Sequence, residues 1–170
     1  QGIYFGGILT IALYNLLIFF VLGDRNYLFY VLFMMSTMMA MAAQQGFAFR
    51  FLWPNATHWN DQAIIFFTSC TGLFAILFTL RFLRVKQFAP LVARVLQLGM
   101  VTSFVTMVLV FVLDYQANAK LTLINLIIVV TLAVVTGIIA LFRRVPSARI
   151  YLLAWTILLV GAAVVSMSRL

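Results

Sequence analysis

Between Lys120 and Arg143 the chain reads LTLINLIIVVTLAVVTGIIALF, residues 121–142 without a charge. A helix rises 1.5 Å per residue, so about 20 apolar residues cross a hydrocarbon core roughly 30 Å thick. Strands of an outer-membrane barrel would need only about ten residues of alternating polarity, and no such alternation is present. Working outward, five further runs repeat the pattern: Ile3–Leu22, Tyr27–Ala43, Ala63–Leu80, Val95–Leu113 and Ile150–Met167. Pro54, Pro90 and Pro146 all fall between runs, so no span carries a proline break. The expected fold is all-α: a single polytopic transmembrane helix bundle over residues 1–170.

Composition agrees. Hydrophobic residues make up 66% of the chain, charged residues 8%, and Glu is absent; a soluble domain would carry roughly 25% charged residues. The net charge of +8 does not point to nucleic acid, because a nucleic-acid binder gathers its basic residues on one face or stripe. Here they punctuate apolar runs. The single Cys70 lies inside a run and excludes an internal disulfide.

The basic residues also orient the chain. Arg25 lies in the first gap, Arg50 in the second, Arg81, Arg84, Lys86 and Arg94 in the third, Lys120 in the fourth, Arg143, Arg144 and Arg149 in the fifth, and Arg169 after the sixth run. Odd gaps hold eight and even gaps three, which makes the odd gaps cytoplasmic and leaves the N-terminus outside. Tyr27, Tyr30 and Tyr151 then fall near the inner headgroups, and Tyr4, Trp53, Trp59 and Tyr115 near the outer ones. No basic n-region precedes the first run. An exported first helix without its own signal implies an extracytoplasmic domain upstream.

The loops carry further expectations. Gly23-Asp24-Arg25-Asn26 reads as a tight turn, with Gly23 in the left-handed position. The connection from Gln45 to Asp61 contains Phe47, Phe49, Phe51, Trp53 and Trp59, too apolar to float in water, so it should fold against the outer mouth. The segment Arg81–Arg94 interleaves basic residues with Phe82, Leu83, Val85, Phe88 and Leu91. It reads either as a strip along an anionic inner leaflet or as snorkelling helix ends joined by a short loop.

Catalysis needs convergent titratable groups. Asp24, Asp61 and Asp114 are the only acids, one per loop, and His58 is the sole histidine. One His and one Cys cannot supply a metal site. No enzymatic activity, cofactor or metal is expected within these residues. Half of a small-molecule transporter or channel is the alternative, but the midplane ionisable residue and the broken helices usual in carriers are absent from the sequence.

Two sets of residues stand out as candidate sites. Gln44, Gln45, Arg50, Trp53, His58 and Trp59 cluster around the outer mouth and suit a shallow apolar signal-binding pocket with a few polar groups. Tyr14 and Asn15, at the centre of the first helix, could act as a polar switch between two packings. Ser36, Thr37, Thr68, Ser69, Thr71 and Asn125 read as interhelical hydrogen-bonding groups. Gly2-x-x-x-Gly6 and Ala162-x-x-x-Ser166 are spacings suited to close helix contact. Met34, Met35, Met38, Met39 and Met41 read as adaptable packing.

Gly2-Ile-Tyr-Phe-Gly-Gly, Ala12-Leu-Tyr-Asn-Leu and Asp24-Arg-Asn-Tyr-Leu-Phe-Tyr30 resemble the opening of the bacterial seven-helix receptors with diverse intracellular signalling modules. Gln45-Gly-Phe and Phe51-Leu-Trp-Pro54 are similar to that family's first outer loop, and Arg81-Phe-Leu83 with Pro90-Leu and Arg94 to its second inner segment. The resemblance implies six of seven helices here, an extracytoplasmic domain before them, and a seventh helix and output module after them. That module would be a diguanylate cyclase, histidine kinase, phosphatase or adenylate cyclase. The function so implied is a sensory module in a bacterial inner membrane, relaying an outside signal through helix repacking. Its partners would be the bilayer with its anionic inner leaflet, the receptor's own flanking domains and, as an open option, a second copy in a homodimer.

Overall fold

The computed structural model describes residues 2–23 and 25–156. These fold into α1 (Gly2–Leu22), α2 (Arg25–Gln44), α3 (Phe47–Phe51), α4 (Thr57–Phe82), α5 (Val85–Phe88), α6 (Pro90–Leu109) and α7 (Tyr115–Phe142), followed by α8 (148–156). No strand occurs among the described residues. Among the described residues, four helical stretches are long and apolar enough to cross a membrane: Asn26–Gln44, Trp59–Phe82, Pro90–Leu109 and Tyr115–Phe142. The expected last run, Ile150–Met167, is helical through residue 156, and its remainder lies outside the described residues.

Helix limits differ from the apolar runs for identifiable reasons. Pro90 opens α6 at its first position, where a fixed φ and a missing N–H cost nothing; the helix therefore starts five residues before Val95 and ends at Leu109 rather than Leu113. With 28 residues, α7 is about 42 Å long, beyond the roughly 30 Å core. Its added first turns carry Asn118 and Lys120. The turn between α1 and α2 uses Gly23 at φ 65, with its N–H on the Phe19 carbonyl at 2.8 Å.

α4 is the hub. It packs along α2 on one side and along α6 and α7 on the other, and also touches α3 and α5. Among α1–α7, α1 packs only against α2. The start of α8 seats where α2, α4 and α7 meet: Trp155 lies against Phe33 of α2, and Tyr151 stacks with Phe78 and Phe82 of α4. Tyr151 is thus in the core, 2% exposed, and not at the headgroups as its place in the sequence suggests.

Antiparallel succession sorts the connections into two ends. One end gathers Gly23, the 83–89 connection with α5, and the 143–147 connection, and there Arg81 lies over the Phe29 ring at 5.4 Å. The segment Arg81–Arg94 is compact helix and tight turn, with Leu83 and Val85 fully buried and its arginines exposed. The other end gathers α3 and the 110–114 turn. The aromatic loop does fold onto the bundle there: Ala48 packs with Ala43 and Ala63 under Trp53 and Trp59.

The close approaches are made by glycines other than those of the small-residue spacings. A Cβ on Gly72 would sit 3.1 Å from Ser103 Oγ, one on Gly99 3.2 Å from Ile76, and one on Gly137 2.9 Å from the Tyr151 ring. Among the described residues nothing lies within 4 Å of a Cβ on Gly6, and Ala162-x-x-x-Ser166 lies outside the described residues.

Candidate functional site

Two features of the interior could respond to a ligand: a polar seam and a cavity beside it. The seam joins α4, α6 and α7. Asn125 donates from Nδ2 to Ser103 Oγ at 2.8 Å and accepts from the Thr102 hydroxyl at 2.6 Å. Ser69 and Thr122 hydroxyls meet at 3.5 Å. Nearer the aromatic end, Asn118 donates to the Thr106 carbonyl at 3.4 Å, while its buried Oδ1 meets no partner among the described residues. At the basic end, Tyr151 and Thr79 hydroxyls share a 2.7 Å bond, and the phenol also reaches the Ala133 carbonyl at 3.3 Å.

Of the residues expected to bond between helices, Ser69 and Asn125 do so. Ser36, Thr37, Thr68 and Thr71 instead donate to carbonyls of their own helices, three or four residues back. The hydroxyls of α2 therefore do not tie it to α4. It meets α4 and α8 through ring contacts, Tyr30 on Phe78 and Phe33 on Trp155, through Phe29 under Arg81, and through the packing of Ala43 on Ala63.

The cavity, ≈ 480 Å³, opens between the aromatic-end halves of α2, α4 and α7. Thr37, Met41 and Gln44 line it from α2, Thr68 and Thr71 from α4, and Tyr115 and Thr122 from α7, with aliphatic residues between them. No charged side chain contributes, and the hydroxyls of Thr37, Thr68 and Thr71 spend their protons on backbone carbonyls.

Of the six residues expected at an outer pocket, Gln44 lines this cavity. Gln45 is half-buried on the same turn, its Oε1 without a partner among the described residues. Trp53 stacks on Phe67 and donates from Nε1 to Asn60 at 3.3 Å. Trp59 stacks on Phe111. Arg50 is exposed over the Phe51 ring at 5.4 Å. His58 belongs to α4, but its side chain lies outside what the structure describes. The two tryptophans pack the loop down and do not face the cavity. Tyr14 is 64% exposed on α1 and Asn15 half-buried. The wall supplied by Thr37, Thr68, Thr71, Tyr115 and Thr122 escaped sequence reasoning; its one sequence signal is the recurrence of threonine inside apolar helices.

Among the described residues, an all-helical bundle with four membrane-length helices and no buried charged side chain defines a multi-pass membrane protein. Among the described residues no group of three His, Cys, Asp or Glu side chains could hold a metal. The model of the 7TM diverse intracellular signalling family matches residues 1–170, and the chain belongs to that family. Its members are transmembrane signalling modules. No curated protein and no solved structure matches the chain.

Proposed function

We propose that this bundle is the sensory transmembrane part of a bacterial inner-membrane receptor, passing a signal from outside to an output module on the cytoplasmic side. The basic end, with Arg81, Arg84, Lys86, Arg94, Arg143, Arg144 and Arg149, faces the cytoplasm under the positive-inside rule. The aromatic end faces out and presents the cavity. The observation that carries the reading is the unequal fastening of the helices: α4, α6 and α7 share buried hydrogen bonds, whereas α2 meets α4 and α8 through ring and apolar packing, and its Ser36 and Thr37 donate within their own helix. α2 can shift along α4 without stranding a buried hydroxyl. A signal seated between α2 and α7, or a bound upstream domain, changes that packing, and α8 carries the change because Trp155 rests on Phe33. Reversing a 1:99 preference to 99:1 needs about 5.5 kcal/mol of differential binding.

Filling the cavity tests this. In the full-length receptor, Thr37→Trp and Thr68→Trp should each lock the output high or low and abolish its response to signal, at normal membrane abundance. Unchanged output and response would remove the cavity from the relay. Flux of a solute through liposomes containing the bundle alone would favour a carrier instead.

A further inference from the structure

At the basic end, two local rules of helix chemistry are broken beside one cavity. α7 closes through Arg143 into Arg144 and Val145. The Arg144 N–H binds the Leu141 carbonyl and the Val145 N–H the Ala140 carbonyl, both at 3.0 Å. That pairing is the helix-closing motif whose left-handed residue is ordinarily glycine. Here the residue is Arg144, at φ 56, a conformation that side chains with a Cβ adopt at a cost. Four residues on, α8 begins. The first turn of a helix carries unpaired N–H groups and partial positive charge, and it favours an acid; this one carries Arg149.

Both arginines line a cavity of ≈ 630 Å³ whose remaining walls are Leu141, Val145 and Pro146. Neither guanidinium has a hydrogen-bond or carboxylate partner among the described residues, and the described acids, Asp61 and Asp114, lie at the opposite end. Just beyond the cavity, Leu141, Phe142, Ile150 and Leu153 form an exposed apolar strip, Phe142 being 82% exposed.

We propose that this cavity holds the phosphate of an anionic phospholipid, gripped between Arg144 and Arg149. An anion there answers two unpaired guanidinium groups and the positive end of α8 together. The apolar strip gives the lipid's acyl chains a path along α7 and α8, which a free phosphate would leave bare. Arg84 takes the same left-handed conformation, φ 51, at the end of α4, and so supplies a matched control. The site rests on the reading that this end faces an anionic leaflet; binding in detergent is measured without reference to orientation, so the two can fail separately.

The test is native mass spectrometry of the whole chain in detergent, titrated with phosphatidylglycerol or phosphatidylcholine. The intact chain should retain phosphatidylglycerol preferentially. Arg144→Gly with Arg149→Gln should weaken that retention by roughly thirtyfold, two basic contacts' worth, and the glycine suits the backbone, so the variant folds. Arg84→Gln with Lys86→Gln, removing equal charge from the 83–89 connection, should bind within about twofold of the parent. The proposal is overturned if the first pair binds like the parent, or if the second pair loses as much. Displacement of the lipid by excess inorganic phosphate would assign the cavity to a soluble anion and overturn the lipid occupant; persistence of the lipid supports it.

Discussion

Asn125 shows how a neutral residue can hold a membrane bundle together. Its amide uses both ends, giving to Ser103 and accepting from Thr102. Each of those hydroxyls also lies 2.9 Å from the Gly99 carbonyl, so neither is stranded when the amide is removed. Asn125→Leu should therefore cost only about 1 kcal/mol, two interhelical bonds at roughly 0.6 each, and the protein should still fold. Titration of the purified bundle with a denaturing detergent measures that difference. No loss of stability would mean the seam does not fasten α6 to α7. Sequence alone cannot make this distinction: a threonine or serine at membrane depth serves its own helix or a neighbour according to how the helix is turned. Thr102 and Ser103 face α7, whereas Thr68 and Thr71 satisfy themselves.

At the scale of the element, helices were readable because length and the absence of charge decide them. Which helices touch was not readable, because spans apolar on every side carry little directional signal. Gly137 illustrates the gap. It is one of nine glycines and carries no motif, yet it is where α8 meets α7, and an added methyl would sit 2.7 Å from Leu152 and 2.9 Å from the Tyr151 ring. Among the described residues nothing lies within 4 Å of a Cβ added at Gly6 or Gly7. The same substitution should thus change sign with position. Gly137→Ala should destabilise, overpacking costing about 1–3 kcal/mol against at most about 1 kcal/mol gained from lost backbone freedom. Gly6→Ala and Gly7→Ala should stabilise by about 0.5–1 kcal/mol. Thermal midpoints in detergent for the three variants check the prediction; a rise for Gly137→Ala would contradict the packing of α8.

For the whole molecule, charge and chemistry separate along one axis. Most of the basic residues gather where the turns are tight, while Arg50, Lys120, Asp61, Asp114 and the tryptophans Trp53 and Trp59 gather at the other end. That division was legible in the sequence, since connectivity alone assigns alternate gaps to opposite ends. The cavity between α2, α4 and α7 was not, because its walls come from three segments far apart in the chain. Reporter fusions at Pro90 and Pro146 should be active only as cytoplasmic reporters, and a fusion at Pro54 only as a periplasmic one. The opposite pattern would reverse the direction in which the receptor listens.

Because α1 leans on a single neighbour among α1–α7, a push or twist applied to it reaches α4 by way of α2, much as a crank turns a wheel through one rod.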